Sequence, residues 1–154
     1  MKIIFTDVDG VLNDDTTPTR TKSHCLFIDQ DKLLRLKRIV DATGAKIVLS
    51  STWRYDRDDD QYNGDFGELQ EAFHNVGLTF YSFTPVDAIG IRRGMEIRAW
   101  LGAHPEATQF IILDDDFWDF AERGLLHRLV KTTFWDGGLT DALAQEAIIM
   151  LLEG

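Results

Sequence analysis

The stretch Lys2-Ile3-Ile4-Phe5-Thr6-Asp7-Val8-Asp9-Gly10-Val11-Leu12-Asn13 decides how this chain is read. Ile3 to Phe5 is the apolar run of a strand buried on both faces, and two carboxylates follow where it ends. Gly10 then lets the chain turn. Residues i and i+2 of a strand point the same way, so Asp7 and Asp9 face one small volume if strand geometry continues that far. Two anions so close are costly unless a cation or a shared proton relieves them. The pair is therefore read as the start of a site.

Working outward, the same pattern recurs. Residues 45–49 form a second apolar run ending in Ser50-Ser51-Thr52, and residues 110–113 form another ending in Asp114-Asp115-Asp116. Weaker strands are expected at 78–83 and at Leu129-Val130. Between them, Leu33, Leu34, Leu36, Ile39 and Val40 recur with helical period, with Asp29 or Asp31 as the cap and Gly44 as the stop. Further helices are expected over 68–76, after Arg92-Arg93-Gly94 with Ile97, Trp100 and Leu101 as its stripe, and from 141 to about 152 behind Thr140. Residues 13–28 read as a flap with a brief strand at 25–28, and residues 53–67 as a second loop. Alternating strands and helices predict one α/β domain over 1–154: a Rossmann-like three-layer α/β/α sandwich on a mainly parallel sheet. Ligands in such folds bind beyond the carboxyl ends of the strands. Asp7/Asp9, Ser50/Ser51 and Asp114/Asp115 would all line that edge.

The whole chain sets bounds on function. Its 154 residues suffice for one real core, and its net charge of −10 argues against extended, non-specific nucleic-acid binding and against an anionic membrane surface. The start is too short and too soon acidic for a signal peptide, and no run reaches the length of a membrane span. The single Cys25 fits a reducing compartment, so a cytoplasmic location is the expectation, and so is a monomer. The four His have no ligand spacing, which speaks against zinc. Asp56, Asp58, Asp59 and Asp60 read as a solvated loop, lacking the spacing of a calcium loop. Trp53, Trp100, Trp118 and Trp135 read as core or rim residues, Trp53 being the one placed to touch a substrate.

Hard oxygen ligands suit Mg²⁺, which takes one or two carboxylates and leaves its other positions to water and phosphate. Asp7 and Asp115 supply such carboxylates, with Asp114 as a further ligand and Asp9 through its backbone carbonyl. A hydroxyl from Ser50 or Ser51, a guanidinium from Arg93 or Arg92, and the Gly10 turn suit phosphate oxygens. Ser50 also has a plain structural reading as a helix cap, and Asp116 reads mainly as one. Together the set describes phosphoryl transfer, in which positioning and charge neutralisation dominate.

These residues carry a family resemblance. Asp7-Val8-Asp9-Gly10-Val11-Leu12 resembles the first motif of the haloacid dehalogenase (HAD) superfamily of aspartate-nucleophile phosphatases. Leu49-Ser50 is similar to the second, Arg92-Arg93 to the third, Leu113-Asp114-Asp115 to the fourth, and Asp119 to a further Asp that some members carry. More narrowly, Asp9 to Asn13, the run Thr43 to Arg54 and Arg93-Gly94-Met95-Glu96-Ile97 resemble a small HAD group associated with RNA-repair proteins. The resemblance implies that Asp7 is the nucleophile, forming an aspartyl-phosphate, and that Asp9 carries the proton for leaving group and water. It implies that Ser50 and Arg93 hold the phosphoryl oxygens and Asp115 the Mg²⁺. The presence of Asp9 favours phosphoryl transfer over dehalogenation.

Many HAD enzymes acting on small metabolites carry an inserted cap domain. Roughly forty residues separate the first motif from the second, and the second from the third, and sheet and helices consume much of that. No domain-sized cap fits. An open site suits a phosphate on a macromolecule such as a nucleic-acid end, which needs few contacts. Two other readings are a catalytically silent binding module and a signalling receiver. A receiver would place its phospho-accepting Asp after the third strand and a Lys after the fifth, unlike the order here.

Overall fold

Ile3, Ile4 and Phe5 are wholly buried because the strand they form, β1 (Lys2–Thr6), is the middle of a five-stranded sheet. The computed structural model describes residues 1–55, 57, 64–86 and 92–153. Asp56, Asp58, Asp59 and Asp60, the middle of the 53–67 loop and residues 87–91 lie outside the described residues. The other strands are β2 (Lys46–Leu49), β3 (Phe80–Phe83), β4 (Gln109–Asp114) and β5 (Leu129–Lys131). They lie in the order β3-β2-β1-β4-β5, and every pairing is parallel.

A parallel sheet must be covered on both faces. Period-2 alternation divides the strand residues between two cores. Ile4, Ile47, Leu49, Ile111 and Leu113 enter the larger one, with Leu33, Leu36 and Ile39 of helix α1 (Gln30–Thr43), Leu69 and Phe73 of α2 (Gly64–Asn75), and Ala147 and Leu151 of α5 (Asp141–Glu153). Ile3, Phe5, Val48 and Ile112 enter the other, with Ile97 and Trp100 of α3 (Arg93–Ala103) and Phe120 of α4 (Trp118–Glu122). Each large side chain removed from water this way is worth roughly 1.5–3 kcal/mol before the entropy of ordering is charged against it. The result is the expected three-layer α/β/α sandwich. Among the described residues there is no domain-sized cap. No helix among them is long and apolar enough to cross a membrane.

Several local expectations shift. Residues 25–28 do not join the sheet: the 13–28 flap folds on itself, with the Thr21 N–H donating to the Cys25 carbonyl at 2.9 Å and an isolated bridge between Arg20 and Leu26. Asp29 does precede α1 with extended backbone, but its carboxylate makes no cap bond. It accepts instead from Lys32 and Thr17, both at 2.7 Å, which ties the flap to the helix. Leu34, expected in the apolar stripe, is exposed. The second loop is shorter than expected, because a 3₁₀ turn occupies Thr52–Arg54 and α2 begins at Gly64.

Candidate active site

The sheet's hydrogen-bond ladder continues one residue past the strands, and this continuation aligns the site. The Asp7 N–H donates to the Leu113 carbonyl at 2.9 Å, and the Ser50 N–H to the Thr6 carbonyl at 3.0 Å. Asp7 therefore has Ser50 on one side and Asp114, the last residue of β4, on the other. Strand geometry does not reach Asp9, however. The Val11 and Leu12 N–H groups both donate to the Val8 carbonyl, so the chain is already turning there. The two acids share a cleft through this turn, not through strand alternation. That cleft, of about 420 Å³, is lined by Asp7, Asp9, Arg93, Asp115 and Asp116.

Asp7 is buried, and its two oxygens have different partners. Oδ1 accepts from the Val8 N–H at 2.8 Å, while Oδ2 lies 2.6 Å from Arg93 Nη1. The same Nη1 lies 2.9 Å from Oδ2 of the wholly buried Asp114. Arg93 thus clamps the carboxylates of two adjacent strands. One oxygen from each of Asp7, Asp114 and Asp115 falls within 4.8 Å of the others. Three acids face one guanidinium, and the balance shows in their protonation. Burial, reinforced by the Asp114 charge, pushes Asp7 up to about 8 despite Arg93 beside it. Burial and Asp114 likewise push Asp115 up to about 6. Arg93, itself half-buried, is driven further into its charged form by Asp7 and Asp114. A compact set of hard oxygens with excess negative charge is the donor chemistry that fits a divalent cation such as Mg²⁺.

Asp9 stands apart from this cluster, exposed at the mouth of the cleft. Its Oδ1 accepts from Asn13 Nδ2 at 2.9 Å and its Oδ2 from the Trp53 indole N–H at 3.2 Å. Asn13, wholly buried, also donates to the Phe27 carbonyl at 2.8 Å and accepts the Gly10 N–H at 2.9 Å. The Gly10 amide is engaged by that bond. The part Gly10 plays in the turn is spatial: its φ is +82°, and a Cβ there would lie 2.3 Å from Asp115 Oδ2. Only glycine gives Asp115 room beside the turn.

Of the two hydroxyls, Ser51 is the cap of the 3₁₀ turn, accepting the Trp53 N–H at 3.1 Å. The Ser50 hydroxyl is buried without a hydrogen-bond partner among the described residues. Of the two arginines, Arg93 reaches the carboxylates, while Arg92 precedes α3 as its first flanking residue. Asp119 lies outside the carboxylate group and accepts the Gly94 N–H at 2.5 Å, capping the helix that carries Arg93.

Three residues that matter here, Asn13, Arg54 and Glu96, carried little sign in the sequence, whereas Trp53 was read there as placed to touch a substrate. Asn13 and Trp53 orient Asp9. Arg54 and Glu96, both buried, pair at 2.9 Å beneath the site. Arg54 also donates to the carbonyls of Ser50, Ser51, Thr84 and Pro85. Asn13, Arg54 and Glu96 lie within the motif-bearing stretches, and that proximity was the one signal available.

Comparison with curated proteins and with solved structures gave no match. Residues 3–144 match the sequence profile of the family described as "HAD domain in Swiss Army Knife RNA repair proteins". With four of that fold's motifs meeting at one sheet edge, and the match covering nearly the whole chain, this protein belongs to that family of HAD domains.

Proposed function

We propose that this chain is a Mg²⁺-dependent phosphomonoesterase that works through an aspartyl-phosphate on Asp7 and takes a terminal phosphate on a macromolecule, a nucleic-acid end first among them. The carrying observation is Asp7 itself: a buried carboxylate fixed by Arg93 at 2.6 Å, within a three-acid cluster, in a cleft whose mouth holds a second, separately oriented carboxylate. That arrangement supports two unequal acids, one to attack and one to move protons. The RNA-repair context of the family and the uncapped site both favour a polymer end over a small metabolite.

The chemistry then follows from the chain's own groups. An Asp7 oxygen attacks phosphorus, and the ester P–O bond breaks as the leaving oxygen takes a proton from Asp9. Asp9, now a carboxylate, accepts a proton from the water that attacks the acyl phosphate. Inorganic phosphate leaves and Asp7 is regenerated. Arg93 holds Asp7 in place and offsets its charge, and the Ser50 hydroxyl is available to a phosphoryl oxygen. Mg²⁺ held by Asp7, Asp114 and Asp115 would keep Asp7 ionised and take up charge on the transferring group.

The test is phosphate release from 5′- and 3′-phosphorylated oligonucleotides, sugar phosphates and phosphopeptides, with and without Mg²⁺. Metal-dependent release from an oligonucleotide end, abolished by Asp7→Asn, is the expected result. Release that survives Asp7→Asn removes the nucleophile assignment. Turnover on no phosphate at all would make the fold a binding module.

A further inference from the structure

Beside the catalytic cleft lies a second groove of about 360 Å³, and Asp9 is in the wall of both. Leu26, Thr52, Trp53, Asp65 and Phe134 line it further. Besides Asp9 and Asp65 of α2, three segments meet there: the flap, the turn after β2 and the loop after β5. Each brings a large apolar or aromatic side chain. The groove is built rather than incidental. Trp53 is fixed by its indole N–H bond to Asp9 and is backed by Phe27, with ring centroids 6.2 Å apart. The flap is pinned over it by Ser23, which donates to Asp65, and by the Lys22 N–H, which donates to Glu68 at 3.1 Å. Phe134 stands edge-on to Trp135 at 5.0 Å, and Trp135 is 75% exposed, so the aromatic surface continues outward.

The charges on the groove narrow its occupant. Its acidic walls are the carboxyl groups of Asp9 and Asp65, and no Lys or Arg lines it among the described residues. A second phosphate or a carboxylate would meet repulsion there. A neutral, planar group with hydrogen-bond donors on its edge meets two aromatic rings and the carboxylate of Asp65. A phosphotyrosine ring is flat but has no donor left once its oxygen is esterified.

We propose that this groove is a base-stacking subsite, holding the nucleobase of the terminal nucleotide whose phosphate sits at Asp7; this rests on the phosphatase reading above. The shared wall at Asp9 supports it, since the leaving oxygen that Asp9 protonates belongs to the sugar between phosphate and base. Aromatic stacking is tolerant of base identity, so the subsite selects nucleotides as a class more than a sequence.

The experiment compares nucleoside monophosphates with ribose 5-phosphate and phosphotyrosine. The readout is kcat/KM for wild type and for Leu26→Ala and Phe134→Ala, taken as the nucleotide-to-ribose-phosphate ratio within each protein so that effects on folding or on chemistry cancel. Stacking predicts a wild-type ratio on the order of tenfold or more, and a fall of similar size in the variants. A second arm follows the Trp53 indole N–H resonance in Asp7→Asn protein, assigned by its loss in Trp53→Phe. Adenosine monophosphate should shift it and ribose 5-phosphate should not. Turnover with a ratio near one, or phosphotyrosine outrunning the nucleotides, overturns the subsite while leaving the phosphatase intact. Absence of turnover overturns the phosphatase instead, and the resonance then decides the groove alone: no shift by the nucleotide ends the proposal.

Discussion

Arg54 Nη2 and Glu96 Oε2 lie 2.9 Å apart with both side chains buried, joining the turn that carries Ser50 to the helix that carries Arg93. The guanidinium also donates to four backbone carbonyls, so its charge is neutralised and its donors are used. Removing one partner strands the other. Arg54→Ala and Glu96→Ala should each cost about 3–5 kcal/mol, read from urea unfolding. Arg54→Lys should recover little, because an ammonium cannot span carbonyls from two loops. A loss below about 1 kcal/mol in either alanine variant would show that the pair is not the brace described.

Proton release on metal binding tests the carboxylate cluster. Without metal, burial holds Asp7 at about 8 and Asp115 at about 6, so at neutral pH Asp7 is mainly protonated and Asp115 mainly ionised. Cation binding requires both ionised. About one proton should therefore be released per Mg²⁺ near pH 7, more below pH 6 and almost none above pH 9. Calorimetry in buffers of different ionisation enthalpy counts these protons. Apparent affinity should rise with pH across the same window. Binding with no proton released at pH 7 would contradict the raised Asp7.

The same shifts fix the pH dependence of stability in metal-free protein. A carboxyl raised on folding contributes most below its unfolded pKa, and the contribution is lost as pH rises through the folded value. Stability should accordingly fall from about pH 4 toward pH 8, through Asp115 and then Asp7. Asp7→Asn should flatten the upper part of that fall, and saturating Mg²⁺ should oppose it. Thermal unfolding across the range, with and without the ion, measures both. A wild-type curve that rises over this window would rule the account out.

Gly10→Ala separates the space needed by Asp115 from the fold as a whole. The new Cβ meets Asp115 Oδ2 at 2.3 Å, and φ of +82° is costly for any L side chain. A destabilisation of about 1–3 kcal/mol is expected, as for strain at a special backbone conformation. Mg²⁺ affinity should fall by tenfold or more, since a displaced Asp115 leaves the cluster. Full metal affinity in a folded Gly10→Ala protein would mean that Asp115 does not need this approach.

The elements easiest to read in the sequence were those set by burial. Ile3 to Phe5, Ile47 to Leu49 and Ile111 to Leu113 had to be strands covered on both faces, and they carry Asp7, Ser50 and Asp114 to one edge. Arg93 and Asp115 were legible by motif. What the sequence hid were contacts between distant segments. Periodicity cannot show that Asn13 turns back on Asp9, that Arg54 finds Glu96, or that Asp119 caps α3. The brief strand expected within the flap at 25–28 is an isolated bridge at Leu26, whose neighbours' hydrogen bonds close inside the flap. Asp7 and Asp9 do face one cleft, but the strand geometry that would align them ends where the turn begins at Val8, and that turn is what gives the two acids different surroundings.

Asn13 is where that difference can be tested. It donates to Asp9 Oδ1 and accepts the Gly10 N–H, so one buried amide sets both the proton carrier and the turn. Asn13→Asp keeps the acceptor for Gly10 but replaces the donor with a second carboxylate beside Asp9. The turn should survive, with a stability loss of about 1–3 kcal/mol from the lost bonds to Asp9 and the Phe27 carbonyl. Like-charge repulsion should favour a proton shared between the two carboxyl groups. The alkaline limb of kcat/KM should therefore move upward, while removal of the proton from water slows. A poor leaving group should then suffer less than a good one, because protonation limits the first and attack by water the second. An unchanged pH profile with uniformly lower rates would mean that Asn13 acts on the fold alone.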